Sequence, residues 1–155
     1  MTSIQKIEGW LIKQGYTLHF GRTDQVNRDP NVVTITSTLS RKPKIYSLLH
    51  ECGHVILYNS SDYLKKYKSV DIGDNQDQRH AKSLIFRYKK LAEEMEAWNE
   101  GYKLAQKLGI KISKVAYDTY AAPWIHSYIR AVADTKESYH KWKSSEHKQK
   151  PKKKR

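Results

Sequence analysis

The chain has 155 residues, 38% of them hydrophobic, with 29 Lys and Arg against 16 Asp and Glu for a net charge of +13. That length builds one domain with a real core, and a mean hydropathy of -0.82 confines the core to a few well-patterned segments and excludes a membrane protein, which needs ~20 consecutive apolar residues per span. A single cysteine excludes an internal disulfide and a Cys-rich zinc framework and fits a reducing compartment; with acidic Glu8 and no apolar block of signal-peptide length near the N-terminus, a cytoplasmic protein is expected.

In chain order, Ser3 followed by Ile4, Ile7, Trp10 and Leu11 predicts an N-capped amphipathic helix closed by Gly15. Tyr16 to Phe20 alternates weakly as a strand, and a polar loop is expected through Asp29 and Pro30. Asn31 to Ser40 is rich in Val, Ile and Thr and predicts the best strand of the protein. Pro43 suits the first turn of a helix, which should run from about 44 to 58. The polar stretch 59 to 81 predicts a long loop. From about 82 to 108, Leu84, Tyr88, Leu91, Met95, Trp98, Tyr102 and Ala105 recur at spacings of four and three, the signature of a long amphipathic helix stopped by Gly109. Ser113 to Tyr120 and Pro123 to about Tyr139 predict two further helices.

Residues 141 to 155 form a basic tail, with eight basic residues and one acidic that carry +7 of the total charge. It has almost nothing to bury and is expected to be disordered, leaving 1 to 140 as the domain. Such a tail can hold nucleic acid nonspecifically.

His50-Glu51-Cys52-Gly53-His54 is an H-E-x-x-H pattern inside a predicted helix preceded by a strand. Histidines at i and i+4 stand one turn apart on one face, so both imidazoles can converge on one divalent cation. Glu51 is carried about 100° around, where it can reach a water on that cation and take its proton. Cys52 faces away from the histidines and is expected to be a buried structural thiol.

A zinc site of this class needs a third protein ligand. The next long helix offers Glu93, Glu94, Glu96 and Glu100. At ~100° per residue, Glu94 lies about 70° from the centre of the stripe marked by Leu91, Met95, Trp98 and Tyr102, so it can turn inward; the other three fall on the solvated side. Gly101, on the same strip, leaves room for another backbone to approach.

The run Leu48 to Leu57 resembles the active-site helix of gluzincin-type zinc metallopeptidases, and Glu94-Met95-Glu96-Ala97-Trp98 resembles the glutamate helix of their small members. The likeness covers about 31 to 108 and is greatest to the minimal gluzincins and bacteriophage metallopeptidase-like proteins. It implies zinc bound by His50, His54 and Glu94, Glu51 as general base, a peptide or protein substrate, and a strand beside the cleft, here Asn31 to Ser40, that aligns it. Two departures stand out. Where larger gluzincins orient a histidine with an Asp four residues after the third ligand, this chain has Trp98, which has no acceptor to offer. The string Trp98-Asn99-Glu100-Gly101 also resembles the surroundings of the third ligand in some larger gluzincins, which makes Glu100 a rival.

The expected architecture is a small α+β zincin-like domain, with a short antiparallel sheet packed on the active-site helix and a helical C-terminal part. The expected activity is zinc-dependent peptide hydrolysis. The alternative is a non-catalytic, zinc-stabilised basic protein that binds nucleic acid through its tail. His126, Tyr117, Tyr120, Tyr128 and Arg130 are unranked candidates for an oxyanion donor. His80, His140 and His147 sit in polar stretches without a role.

Overall fold

The computed structural model describes residues 1–68 and 84–133. Residues 69–83 and 134–155, with His80, His140, His147, the end of the helix expected to reach about Tyr139 and the basic tail, lie outside the described residues.

Helix α1 (Ser3–Lys13) starts one residue earlier than its sequence suggests: Thr2, not Ser3, is the cap. Its hydroxyl accepts from the Gln5 amide at 3.2 Å while the Gln5 side chain accepts from the Thr2 amide at 2.8 Å, so each satisfies a donor the helix leaves orphaned. Beyond the C-cap, Gly15 takes a φ of +81°, a conformation only glycine adopts without cost.

Three strands follow: β1 (Thr17–Gly21), β2 (Gln25–Arg28) and β3 (Asn31–Thr36). β3 is central, parallel to β1 with Thr17 opposite Val32, and antiparallel to β2 with Val26 opposite Val33. The fold is α+β, and the sheet is mixed rather than wholly antiparallel. The difference arises at β2, in a stretch expected to be loop. Only Val26 is apolar in Gln25-Val26-Asn27-Arg28, because an edge strand with one half-buried side chain carries almost no alternation. β3 stops at Thr36 instead of Ser40; Ser37 still donates to the Gly21 carbonyl at 2.9 Å before the chain turns. Val33 and Ile35 are fully buried, as their shared face predicts.

Helix α2 (Arg41–Tyr58) starts at Arg41 rather than about 44, with Pro43 in its first turn. Short α3 (Tyr63–Tyr67) forms in the stretch expected to be loop, held by buried Tyr63 and Tyr67 on one face. Helix α4 (Leu84–Lys107) matches the predicted long helix, but its buried face is rotated from the predicted stripe, of which Trp98 and Ala105 are buried as expected. Tyr88 and Met95 are about half exposed, and Glu93, Glu94, Ala97, Trp98, Gly101, Leu104 and Ala105 are buried.

Close backbone approach explains that rotation. A Cβ built on Gly53 would lie 1.9 Å from the Ala97 carbonyl oxygen, and one on Gly101 would lie 2.4 Å from the Leu49 carbonyl oxygen. α2 and α4 thus cross through glycine and alanine, and the side chains flanking those small residues turn inward with them. The room expected at Gly101 is used by α2 itself. Helix α5 (Lys114–Ala133) is one helix through Pro123, not two, and Tyr117 ties it to α4 by donating to the Trp98 carbonyl at 3.1 Å. The main core runs from Ile7 and Leu11 through Val33, Ile35, Leu48, Leu49 and Val55 to Ala121, and a smaller cluster of Leu57, Tyr63, Tyr67 and Ala97 lies under α3. No helix among the described residues is long and apolar enough to cross a membrane.

Candidate metal centre

His50, Glu51 and His54 lie on α2 where it faces α4, and a cleft of about 510 Å³ opens onto them. Its other walls are the β1–β2 loop at Thr23 and Asp24, the β2 residues Gln25 and Val26, Lys90 and Glu94 of α4, and Trp124 and Tyr128 of α5. Helical periodicity presents His50 and His54 together; the glycine crossing at Gly53 and Ala97 brings α4 near enough to meet them.

His50 Nε2 lies 3.1 Å from Glu94 Oε2, and His54 Nε2 lies 3.5 Å from Glu94 Oε1. Among the described residues, His50, His54 and Glu94 form the one group of three or more potential ligands whose donor atoms all lie within 4.8 Å of one another. The other acids on the helix behave differently. Glu96 accepts from Tyr67 and pairs with Lys66 at 3.4 Å. Glu100 pairs with Lys103 at 2.6 Å and lines a separate groove with Trp10 and Ile56. Glu93, expected on the solvated side, is buried, with Oε1 3.3 Å from His54 Nδ1. That contact is at ion-pair distance but is not aligned as a hydrogen bond. Lys90 reaches both acids, 3.1 Å from Glu94 Oε1 and 3.8 Å from Glu93 Oε1.

Electrostatics follow from this crowding. Burial raises the Glu51 carboxyl to about 7, because a charge there is cut off from water. Burial would lower His54, but the Glu93 and Glu94 carboxylates outweigh it and carry the imidazole up to about 10. His50 has lost more to burial than Glu94 restores and is lowered. Glu94, against the effect of its own burial, is held far below the carboxylate range by His50, His54 and Lys90. Trp98 stacks on the His50 ring with centroids 4.1 Å apart and planes 18° from parallel. His50 Nδ1, His54 Nδ1 and Trp98 Nε1 are buried with no hydrogen-bond partner among the described residues.

The five C-terminal candidates separate clearly. Tyr128 lines the cleft together with Glu94, and burial raises its phenol. Tyr120 shares a 2.8 Å hydrogen bond with Ser47, Tyr117 is spent on Trp98, and His126 and Arg130 face solvent. Cys52 is fully buried away from the cluster, and burial raises its thiol.

One expectation about the walls is corrected. β3 cannot align a substrate, because β1 and β2 occupy both of its edges; β2 borders the cleft with its outer edge unpaired within the sheet. Sequence reasoning also missed Glu93 and Lys90. The Lys90–Glu94 spacing of four was a visible signal, whereas the burial of Glu93 had only a faint one, in Ala97 and Leu104 on its own face, which the stripe of larger apolar residues outweighed.

Comparison with protein-family models, with curated protein sequences and with solved structures gives no match to this chain.

Proposed function

We propose that the protein is a zinc-dependent peptidase of zincin-like design that works in a reducing compartment such as the cytoplasm. The observation that carries the reading is the convergence of His50, His54 and Glu94 beside a buried acid, Glu51, at the floor of an open cleft. Two imidazoles and a carboxylate are a donor set of the kind zinc takes, and the imidazole-to-carboxylate separations of 3.1 and 3.5 Å, one to each oxygen of Glu94, lie near the ~3.3 Å that separates two ligand atoms of a tetrahedral zinc, with all three ligand atoms inside 4.8 Å.

Zinc held there supplies a Lewis acid that polarises the scissile carbonyl and acidifies water. Glu51 then takes a proton from the attacking water on its carboxylate and delivers it to the leaving amine nitrogen. Tyr128 directs a phenol into the cleft, where it can donate to a developing oxyanion. The outer edge of β2, unpaired in the sheet among the described residues, can pair with an extended peptide, leaving alternate side chains to meet Trp124 and Tyr128 on the opposite wall.

The second reading, a non-catalytic basic protein, rests on the +13 charge. Elemental analysis of protein purified without added metal, beside His50→Ala, tests the metal. Screening a peptide library with wild type and Glu51→Gln tests the chemistry. About one zinc per chain, lost in His50→Ala, together with cleavage by wild type alone, is the expected result. Bound zinc with no cleavage by either form would favour the binding protein, and absence of zinc would remove the basis of both zinc readings.

A further inference from the structure

Glu93 and Glu94 are adjacent on α4, so their side chains leave the helix about 100° apart. They nevertheless meet the same ring. Glu94 approaches His54 at Nε2, 3.5 Å away, and Glu93 approaches it at Nδ1, 3.3 Å away. Glu93 is 1% exposed, and a carboxylate buried that deeply is costly unless paired. Its partners in ion-pair range are His54 and Lys90, the second at 3.8 Å on the same oxygen. Neither His50 Nδ1 nor His54 Nδ1 makes an aligned hydrogen bond among the described residues, but His54 has the Glu93 carboxylate in ion-pair range of that nitrogen, whereas the His50 ring lies flat against Trp98.

We propose that Glu93 is a positioning residue for the metal centre, holding the Nδ1 side of His54 so that the proton stays on Nδ1 and the Nε2 lone pair faces the cation. This rests on the zinc reading above. A metal-bound imidazole needs one nitrogen deprotonated for the cation and gains orientation when the other donates to a fixed acceptor. Glu93 Oε1, 3.3 Å from His54 Nδ1, is the carboxylate placed to become that acceptor when the ring turns to meet the cation, and Lys90, reaching both glutamates, keeps the two carboxylates side by side. The doublet Glu93-Glu94 thus supplies a ligand from one residue and the orientation of another ligand from its neighbour. Both histidines lie against an aromatic ring, His50 on Trp98 at 4.1 Å and His54 more loosely on Tyr58 at 6.0 Å, and His54 has the Glu93 carboxylate at its Nδ1 besides.

The test is zinc affinity of the full chain, measured by competition with a chromophoric chelator, for wild type, Glu93→Ala and Glu93→Gln. Loss of an acceptor behind a metal-bound histidine weakens binding by ~10–100-fold, so Glu93→Ala should fall in that range. Glu93→Gln keeps an oxygen acceptor at the same reach and should recover most of the affinity, which a role as bare negative charge would not allow. Nitrogen NMR of the zinc-loaded wild type gives a second reading independent of any variant's folding: His54 should carry a proton on Nδ1 and metal on Nε2. If wild type binds zinc but Glu93→Ala binds it within twofold, or His54 is metallated through Nδ1, the role of Glu93 is overturned while the zinc reading stands. If wild type binds no zinc, the zinc reading falls and this one with it.

Discussion

Glu51 combines deep burial with a carboxyl raised to about 7, and two separable outcomes follow from replacing it with glutamine. In the zinc-loaded protein the amide preserves size and metal content but cannot accept a proton, so peptide hydrolysis should fall by ~10²–10⁴ while bound zinc stays constant. In chelator, the same variant should be more stable than wild type at about pH 8. The folded carboxyl titrates near 7 and the unfolded one near 4.5, so ionisation costs wild-type stability progressively across that interval, by on the order of 3 kcal/mol above it. Denaturant midpoints of the two proteins should therefore converge towards about pH 4.5 and separate as pH rises. A wild type at least as stable as the variant at every pH would show that Glu51 is not buried in this manner. His54 adds a trend of the same sign. With its folded value near 10, its stabilising pair with the two glutamates is complete below about 6.5 and is lost as pH climbs towards 10.

At the scale of elements, the α2–α4 crossing decides whether a site exists. A methyl group at Gly53 would meet the Ala97 backbone, and one at Gly101 would meet the Leu49 backbone, so neither contact can be relieved by rotating a side chain. Gly53→Ala should cost about 1–3 kcal/mol or more and should also weaken zinc binding, because separating the helices moves Glu94 away from His50 and His54. Gly9→Ala is the control. Its added methyl has nothing within 4 Å and sits inside α1, where alanine should stabilise by about 0.5–1 kcal/mol without touching zinc affinity. Denaturation in chelator and zinc competition on both variants check the pair; unchanged stability in Gly53→Ala would contradict the tight crossing.

For the whole molecule, charge and fold separate along the chain. The core joins α1, the sheet, α2, α4 and α5, whereas residues 141–155 hold over half of the net charge outside the described residues. Truncation after residue 140 should leave Tm nearly unchanged and reduce binding to DNA or RNA, with the difference shrinking between about 50 and 200 mM salt. Thermal melts and fluorescence anisotropy measure the two effects, and a large drop in Tm would mean that the tail is docked.

The sequence by itself determined what depends on neighbours within a turn or two: the helix carrying His50, Glu51 and His54, their shared face, the buried Val33 and Ile35, and the length of α4. These follow from periodicity and capping, which are local. Only tertiary structure decided the pairing of β1 with β3, the existence of β2 as an edge, and the rotation of α4. The predicted stripe followed the largest apolar residues, Tyr88 and Met95 among them, but helices that cross at glycine and alanine gain more from close backbone contact than from burying bulk. Glu94 turns inward as its angle on α4 suggested, and its place on the buried face comes from that crossing. Glu93 is buried for the same reason, beside a histidine about 40 residues earlier in the chain, a proximity that no local pattern encodes.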